Sequence, residues 1–390
     1  MIKKIVITGG HLTPALAVID ELQKDGWQII FFGRQHALEG DSSVSVEYQT
    51  ITKLGISFIS LTAGRLQRSF TRYTVFSFLK IPIGFIQSFY YLIKFKPTVI
   101  LSFGGYVALP VALAGWMLKI PIVTHEQSVV PGLANKIIFK FAKKVCVSWV
   151  KTMEILRRVY PERSRGAQDD KSKFVLTGNP IRKDIFNINS RNLGRSIPGI
   201  GHFDEKLPLI YITGGSLGAH MINEAVLQVL PKLLEKYFVI HQCGDSQAYK
   251  DYDKLLNTSY QLPTTLKKRY ILTKYVDSDN IGWVLNKSDL IISRAGANTV
   301  TELAALGKPA ILIPLPWVGQ NEQLENAKLL EQAGIAVILE QKNLAGESLY
   351  HWTMTMIQNL SKYKEHGIDA KQLINLQATE NLIKVVNETI

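Results

Sequence analysis

The sequence predicts an α/β protein made of two Rossmann-like, doubly wound lobes that face each other across a cleft. Three observations support this prediction. Short β-branched runs alternate with helical patterns along the chain, which is typical of parallel sheets. The tripeptide Thr-Gly-Gly follows a strand-like run twice, at Thr8 and at Thr213. The length of 390 residues also exceeds one ordinary core, since domains usually contain about 100 to 200 residues.

In the first lobe, a strand-like run at residues 2–7 leads into the turn Thr8-Gly9-Gly10-His11. A helix follows, in which apolar residues recur every three or four positions. The second lobe repeats this order of strand, glycine turn and helix from residue 209 to residue 234. Further strand-like runs fall at residues 29–32, 99–102, 122–124, 238–240, 290–293 and 310–313. We therefore expect a parallel sheet in each lobe.

The expected domain boundaries follow from changes in composition. We assign residues 1–182 to the first lobe and 208–365 to the second. Residues 183–207 mix Asn, Ser, Gly and Pro with charges and lack periodicity, so they are predicted to form the linker. Residues 366–390 are predicted to form a C-terminal helix that can pack back on the first lobe.

The composition, 46% hydrophobic and 20% charged, is typical of a globular chain with a large core. Cys146 and Cys243 each lie in or beside an apolar run, which indicates buried thiols without a disulfide. No export signal is recognisable in the first residues. A reducing cytoplasm is therefore the expected compartment.

The formal net charge of +13 predicts an anionic partner, either nucleic acid or an acidic membrane surface. The distribution of charge separates the two. Between Tyr48 and His125 there is no Asp or Glu, and an aromatic and aliphatic stretch carries the cations Lys53, Arg65, Arg68, Arg72, Lys80, Lys94, Lys96 and Lys119. Basic and apolar residues together favour an anionic membrane surface, with no nucleic acid.

Residues 73–93 are long and apolar enough to raise the question of a membrane span, but Lys80 and Pro82 argue against one. From Pro82 onwards the expected helix is apolar nearly all round. Its two apolar faces contain Ile83, Ile86, Tyr90 and Ile93 on one side and Phe85, Phe89 and Leu92 on the other. We expect one face to pack on the sheet and the other to enter a lipid surface, in preference to core packing alone.

Glycine turns at the start of helices allow backbone N–H groups to approach an anion. The turns at Gly9-Gly10 and at residues 214–219 both qualify, although glycine after a strand is more often just a tight turn. Neither matches a dinucleotide fingerprint or a P-loop. His11 follows the first turn and could act as a general base, although a lone His is more often structural.

Polar residues follow another strand-like run at His125-Glu126-Gln127, at the sheet edge where open α/β folds place their sites. A third glycine turn, at residues 293–299, precedes a helix with Glu302 expected in its first turn. This carboxylate could accept two hydrogen bonds from a cis-diol or merely complement the helix dipole. Asp277-Ser278-Asp279 matches a metal-binding D-x-D pattern, which is common by chance, and no metal site is predicted.

Taken together, these segments resemble the MurG family of glycosyltransferases. The motifs occur in the family's order from residue 8 to about residue 340, and they are Thr8-Gly9-Gly10-His11, Gly104-Gly105-Tyr106, His125-Glu126-Gln127, Gly178-Asn179-Pro180-Ile181-Arg182, Gly214-Gly215-Ser216-Leu217-Gly218-Ala219 and Arg294-Ala295-Gly296-Ala297.

The resemblance implies the GT-B fold, with UDP-N-acetylglucosamine in the second lobe. It implies that the first lobe holds lipid I, the undecaprenyl-linked muramyl-pentapeptide. The implied reaction is an inverting transfer that forms a β-1,4 bond and makes lipid II for peptidoglycan, without a metal or other cofactor. The implied location is the cytoplasmic face of the plasma membrane, as a peripheral protein.

Residue roles are carried over position by position, as implied by the resemblance. The implied catalytic residues are His11, as general base, and Glu126. The implied UDP-sugar ligands are Arg182, Ser216, Val276, Ala297, Glu302, Gln323 and Asn326. The implied acceptor and phosphate contacts are Thr8, Gly9, Gly10, Gly105, Tyr106, Gln127 and Ser128. The candidate lipid contacts are Phe85, Phe89, Leu92 and Trp116.

Three positions depart from the family pattern. Ile7 stands where a glycine is expected, Ser128 replaces Asn, and Glu322 replaces Gln. A carboxylate at Glu322 can accept but not donate a hydrogen bond, so the donor sugar is less firmly implied than UDP. Other hypotheses stay open: a UDP-sugar 2-epimerase of the same architecture, a GT-B transferase with another lipid-linked acceptor, and a non-catalytic UDP-sugar sensor.

Overall fold

The computed structural model describes residues 3–36, 44–62, 72–160, 172–188, 197, 200, 203–215, 218–316 and 321–390, with the backbone alone for 72–81. The chain divides into two compact units. Unit 1 contains Met1–Arg182 together with Asn375–Ile390, and unit 2 contains Lys183–Ile374.

Unit 1 is built on a parallel sheet of seven strands in the order β3-β2-β1-β4-β5-β6-β7. The strands are β1 Lys4–Thr8, β2 Gln28–Gly33, β3 Ser57–Ser60, β4 Val99–Ser102, β5 Ile122–Glu126, β6 Lys144–Val147 and β7 Phe174–Leu176. The helices are α1 Leu12–Lys24, α2 Val46–Lys53, α3 Arg72–Phe95, α4 Ala108–Met117, α5 Leu133–Phe141 and α6 Val150–Val159. The central strands β1, β4 and β5 are almost entirely buried, as expected when helices cover both faces of a parallel sheet.

Unit 2 repeats the design with six parallel strands in the order β10-β9-β8-β11-β12-β13. The strands are β8 Leu209–Thr213, β9 Phe238–Gln242, β10 Tyr270–Thr273, β11 Leu290–Ser293, β12 Ala310–Leu312 and β13 Ala336–Ile338. The helices are α7 His220–Lys236, α8 Asp251–Gln261, α9 Thr264–Lys267, α10 Ser278–Lys287, α11 Ala297–Leu306, α12 Glu322–Gln332, α13 Gly346–Gln358 and α14 Leu360–Gln372. The predicted class, two Rossmann-like α/β lobes, is confirmed.

The last helix, α15 Ala378–Thr389, belongs to unit 1 although the preceding helix α14 belongs to unit 2. Leu382 and Val386 of α15 are buried in the same core cluster as α1, and the carbonyl of Thr389 accepts a hydrogen bond of 2.8 Å from Lys143 Nζ. Residues 366–390 are thus not one helix. The chain passes between units at Asn375, whose side chain packs against Gly178, where φ is +84° and a Cβ would lie 2.9 Å away.

The segment expected to be a linker, 183–207, is counted with unit 2. Its 3-10 helix Lys183–Phe186 packs against α10, where the carbonyl of Ile185 accepts a bond of 2.7 Å from Asn286 Nδ2. Gly282 allows this close approach, because a Cβ there would lie 2.1 Å from the Asp184 carbonyl oxygen. The start of the expected linker is therefore packed structure.

Candidate active site

The carboxyl ends of β1 and β4 in unit 1 are joined main chain to main chain. The N–H of Phe103 donates to the Thr8 carbonyl at 2.7 Å, and the N–H of Gly10 donates to the Gly104 carbonyl at 3.1 Å. Gly9 has φ +143°, and a Cβ there would lie 2.9 Å from the backbone of Phe103. Two of the predicted glycine motifs therefore form one rigid corner that exposes main-chain groups at Gly10.

A buried carboxylate supports this corner from the end of β5. Glu126 is 2% exposed, and its two oxygens accept from the N–H of Ser128 at 3.0 Å and from Asn135 Nδ2 at 2.6 Å. Asn135 fills the space beside Gly104, where a Cβ would lie only 2.1 Å from its Oδ1. Glu126 thus fixes the backbone of Ser128 and ties α5 to the glycine corner. Sequence reasoning missed Asn135, although it lies only nine residues after Glu126.

His125 is fully buried beside the same corner. Its Nε2 lies 2.8 Å from the Gly178 carbonyl, which can only accept, so Nε2 carries the proton and Nδ1 accepts from Gln127 Nε2 at 3.1 Å. Burial lowers the pKa of His125 to about 4, and the nearby His11 acts in the same direction. His125 is therefore neutral near pH 7. His11 is half-buried, with extended backbone, directly before α1.

Tyr106, a predicted acceptor contact, lies beside Arg34, the residue that follows β2. The guanidinium of Arg34 lies 4.8 Å above the Tyr106 ring, which is a cation–π contact. Arg34 also interacts with Glu47, whose pKa burial raises to about 8 against the opposing effect of Arg34. Sequence reasoning did not identify Arg34, which follows β2 without a recognisable motif. Arg34 therefore places a cation beside the ring of Tyr106.

The glycine turn of unit 2 follows β8. Ser216 lies outside the described residues. Gly215 has φ +84°, and Gly218 has φ +76° with room for no side chain, since a Cβ would lie 2.0 Å from the Cys243 carbonyl oxygen. The turn is therefore held close against the end of β9, before α7 begins at His220.

The predicted sugar ligands Ala297 and Asn326 meet at the start of α11, and Gln323 contacts the segment that follows β12. Ala297 is the first residue of α11, the buried Asn326 donates to the Ala295 carbonyl at 3.4 Å, and Gln323 Oε1 accepts from the N–H of Leu315 at 2.9 Å. The bond to Leu315 engages the oxygen of Gln323, so its NH2 group is the part that can donate to a hydroxyl. Glu322 is the first residue of α12 and is half-buried.

The expected position of Glu302 is wrong by one turn. Because α11 begins at Ala297, Glu302 lies in its second turn and not in its first. A carboxylate there gains less from the helix dipole, whose effect falls off within the first turn. The dipole explanation for Glu302 is therefore weakened.

Asp277 has a structural role as the N-cap of α10. Its Oδ1 accepts from the N–H of Asn280 at 3.1 Å and from the Asn280 side chain at 2.6 Å. Among the described residues, one group of metal-ligand type has its atoms within 4.8 Å of one another: His220, Glu224 and Asp251. His220 Nδ1 is hydrogen-bonded to Asp251 at 2.8 Å, and the His220 ring stacks on Tyr249. These contacts explain why the three side chains lie together without a metal ion.

The remaining donor candidates lie on different units. Val276 is 4% exposed after β10 in unit 2. Arg182 is the last residue of the first segment of unit 1 and is half-buried.

The candidate lipid contacts on α3 lie wholly or partly in the core of unit 1. Leu92 is 1% exposed, and Phe85 and Phe89 are partly buried against the core of unit 1. The opposite face is exposed, with Ile83 at 46%, Ile86 at 65%, Tyr90 at 60% and Ile93 at 49%. On the neighbouring helix α4, Trp116 and Met117 are 53% and 54% exposed. The sheet selects one of two apolar faces, and the isoleucine face is left outside.

No helix in the described part of the chain combines the length and the apolar character needed to cross a membrane.

Comparison with known proteins identifies the family. Models of the glycosyltransferase family 28 N-terminal and C-terminal domains match residues 6–147 and 209–382. A relative from Bacillus cereus, named UDP-N-acetylglucosamine–N-acetylmuramyl-(pentapeptide) pyrophosphoryl-undecaprenol N-acetylglucosamine transferase 2, is 34% identical over 99% of both chains. The chain belongs to the MurG family of glycosyltransferases. It is therefore an enzyme, and a GT-B transferase.

Other relatives agree. A transferase from Lachnoclostridium phytofermentans, with the same name except for the final numeral, is 33% identical over 99% of both chains. The crystal structure of Acinetobacter baumannii MurG matches 99% of both chains at 26% identity, with a TM-score of 0.66. A UDP-GlcNAc 2-epimerase from Neisseria meningitidis covers 100% of this chain and 99% of its own with a TM-score of 0.62, but at 14% identity it shows only the shared fold.

Proposed function

We propose that this protein transfers N-acetylglucosamine from UDP-N-acetylglucosamine to the muramyl 4-hydroxyl of lipid I, inverting the anomeric carbon and making the β-1,4 bond of lipid II. The observation that carries the proposal is the full-length similarity to transferases named for this donor and this pyrophosphoryl-undecaprenol acceptor. The epimerase hypothesis has support only from a shared fold.

Within this proposal, residues 1–182 hold the acceptor and residues 208–365 hold the donor. Val276 meets the uracil through its backbone, Glu302 accepts from the ribose hydroxyls, and Ser216 and Arg182 contact the nucleotide and its phosphates. Ala297, Gln323 and Asn326 contact the sugar, and the bond from Asn326 to the Ala295 carbonyl, two residues before Ala297, supports this assignment. Thr8, Gly10, Tyr106, Gln127 and Ser128 form the acceptor side, with Gly9 and Gly105 shaping it.

His11 is the proposed general base. It takes the proton of the 4-hydroxyl as that oxygen bonds to the anomeric carbon, and the bond from this carbon to the UDP oxygen breaks. The neighbouring imidazole, His125, is unsuited to this step, because its Nε2–H is bonded to Gly178 and burial lowers its pKa to about 4. Glu126 already accepts two hydrogen bonds, so we assign it to orienting Ser128 and the acceptor.

Charge that develops on the departing UDP is stabilised by N–H groups of the glycine turns and by Arg182. No divalent metal is needed for this proposal, since helix N-termini and backbone N–H groups are themselves suited to bind phosphate.

A single-turnover assay tests the reaction. Labelled N-acetylglucosamine should pass from UDP-N-acetylglucosamine to a lipid I analogue in the presence of EDTA. Folded protein that makes no such product, or that converts the UDP-sugar without any acceptor, would contradict the proposal. The second result would favour the epimerase.

Two variants test the roles within the reaction. His11→Ala should lower kcat by about 10²- to 10⁴-fold, the usual contribution of a general base, with little change in UDP affinity. Glu302→Ala should weaken UDP binding by about tenfold or more, the value of a hydrogen bond to a charged group. If both variants changed kcat and UDP affinity by small and equal amounts, the roles assigned to His11 and Glu302 would be wrong.

We also propose that the isoleucine face of α3, defined as Ile83, Ile86, Tyr90 and Ile93, rests on the cytoplasmic face of an anionic membrane. Trp116 and Met117 of α4 are exposed apolar residues on the helix packed beside it. Lys94, Lys96 and Lys119 lie exposed at the ends of these helices and can meet anionic headgroups. A peripheral position of this kind would bring unit 1 to a lipid-linked acceptor.

A further inference from the structure

Gln242 is a buried amide at the carboxyl end of β9, where it touches three neighbouring segments of unit 2. It is 4% exposed and pairs in the sheet with Thr213 of β8 on one side and Thr273 of β10 on the other. Its Oε1 accepts from the N–H of Val276 at 3.0 Å and from the Tyr211 hydroxyl at 3.0 Å. Its Nε2 donates to the Gly215 carbonyl at 3.0 Å.

These partners determine the orientation of the amide. The reverse orientation would set the NH2 group against the Val276 N–H and the oxygen against the Gly215 carbonyl, and both contacts would be repulsive. Gln makes this set because Oε1 accepts two bonds while Nε2 donates one. An ionised Glu lacks the donor, and the Met thioether lacks the donor and accepts only weakly.

The two main-chain groups that Gln242 holds belong to different parts of the proposed donor site. Val276 follows β10 and is assigned to the uracil, whereas Gly215 lies in the glycine turn assigned to the phosphates. Gly215 has φ +84°, and its carbonyl also accepts from the N–H of Gly218 at 3.1 Å, which closes the turn. The side chain of Gln242 therefore links the base-binding segment to the phosphate-binding turn.

We propose that Gln242 is a positioning residue for the nucleotide: it sets the separation between the Val276 backbone and the glycine turn so that the uracil and the diphosphate of one UDP molecule are bound together. The inference rests on the proposed function of this site. Pre-organising two binding segments raises affinity because less ordering is left to the moment of binding.

The test compares matched variants in two measurements. Calorimetry gives the Kd of UDP, and steady-state assays give kcat and the KM values of the UDP-sugar and of the acceptor. Gln242→Glu and Gln242→Met should each raise the Kd of UDP and the KM of the UDP-sugar about tenfold or more, with the acceptor KM unchanged within about twofold. Tyr211→Phe removes one donor to Oε1 and keeps the other two contacts, so it should raise the Kd of UDP by only about two- to fivefold.

Thr353→Val is the control for a loss of stability alone. Thr353 is fully buried in α13 of the same unit, and its hydroxyl donates to the Leu349 carbonyl at 2.7 Å. This variant should lower Tm while leaving the Kd of UDP unchanged. If Gln242→Met or Gln242→Glu behaves like Thr353→Val, with a lower Tm and an unchanged Kd, the positioning role is refuted. Should both Gln242 variants fail to fold, an unchanged Kd in Tyr211→Phe refutes it.

Glu302→Ala separates this inference from the proposed function. If Glu302→Ala weakens UDP and the Gln242 variants do not, the donor site stands and the role of Gln242 is overturned. If neither change affects UDP, the donor site itself is wrong and the inference is overturned with it.

Discussion

The double substitution Ile86→Ser with Met117→Ser tests membrane attachment through the isoleucine face and its neighbour α4. The two side chains are 65% and 54% exposed, so neither contributes much to the core. Complete burial of such a side chain is worth about 1.5 to 3 kcal/mol, so burial of the exposed half to two-thirds is worth about 0.8 to 2 kcal/mol. For two separate sites the losses add to about 1.8 to 3.6 kcal/mol, which is about a 20- to 450-fold weaker partition into lipid.

The assay is flotation with vesicles that contain or lack anionic phosphatidylglycerol, at low and high salt. Native protein should float with the anionic vesicles, and salt should weaken its binding because Lys94, Lys96 and Lys119 act through screened attraction. Ile368→Ser is the matched control, since Ile368 is 68% exposed but belongs to unit 2. It should bind vesicles as the native protein does.

Activity on a short-chain, water-soluble acceptor should be unchanged in the double variant, which shows that the site is intact. Equal flotation of native and double-variant protein would refute the proposed attachment. Equal losses from the double variant and from Ile368→Ser would refute the assignment to this face.

Three further predictions concern stability and metal independence. Because the pKa of buried His125 is about 4 in the folded protein and about 6.5 when unfolded, the unfolded chain takes up the proton first. The contribution of neutral His125 to the free energy of unfolding should therefore be complete above about pH 6.5 and fall by up to about 3 kcal/mol as the pH drops toward 4. Denaturant titrations of the native protein and of His125→Gln at several pH values measure this loss. Asn135→Ala removes the 2.6 Å bond to Glu126 and should cost about 1 to 3 kcal/mol and lower kcat, whereas unchanged kcat and Tm would contradict the supporting role of Glu126. Asp277→Ala removes the N-cap of α10 and should lower the free energy of unfolding by about 1 kcal/mol. Sugar transfer by the native protein and by this variant should be insensitive to EDTA. Inhibition by EDTA that Mg²⁺ or Mn²⁺ reverses would contradict the metal-free proposal.

The α/β class was predictable because the strands that form the middle of each sheet are continuous apolar runs next to glycine turns. Edge strands are harder to recognise. Strands β7 and β13 have three residues each, and only the first residue of each is buried. Such short segments carry little hydrophobic periodicity, and their pairing depends on a neighbouring strand that is distant in sequence.

The packing of α3 was hard to predict for a related reason. Both faces of the helix are apolar, so periodicity alone cannot say which one meets the sheet. The packing is decided by complementarity with partners: Ser88 is buried with its hydroxyl bonded to the Gly84 carbonyl, and a Cβ at Gly84 would lie 2.2 Å from the Thr62 carbonyl oxygen. These close approaches place Leu92 inside, and the isoleucine face is exposed as a consequence.

The start of α11 was misjudged for a local reason. Ala297 has no capping side chain before it, because Gly296 precedes it, and no side-chain cap bond marks the N-terminus. A helix that begins without a Ser, Thr, Asp or Asn cap carries no start signal in its sequence. Glu302 was therefore placed one turn too early.

Two of the residues that sequence reasoning missed share one property. Asn135 and Gln242 are buried amides that bind another residue of the site, not residues of a recognisable ligand-binding motif. The motifs consist largely of glycine, whose contribution to binding is main-chain N–H and carbonyl groups. Main-chain N–H and carbonyl groups are the same in every residue, so side chains elsewhere in the chain have to set their position. Asn135 does this through Glu126 in unit 1, and Gln242 does it directly in unit 2. Substitutions at such amides can therefore alter substrate binding while every family motif remains intact. For the same reason, the differences from the family pattern at Ser128 and Glu322 should be interpreted together with the side chains that hold the neighbouring residues.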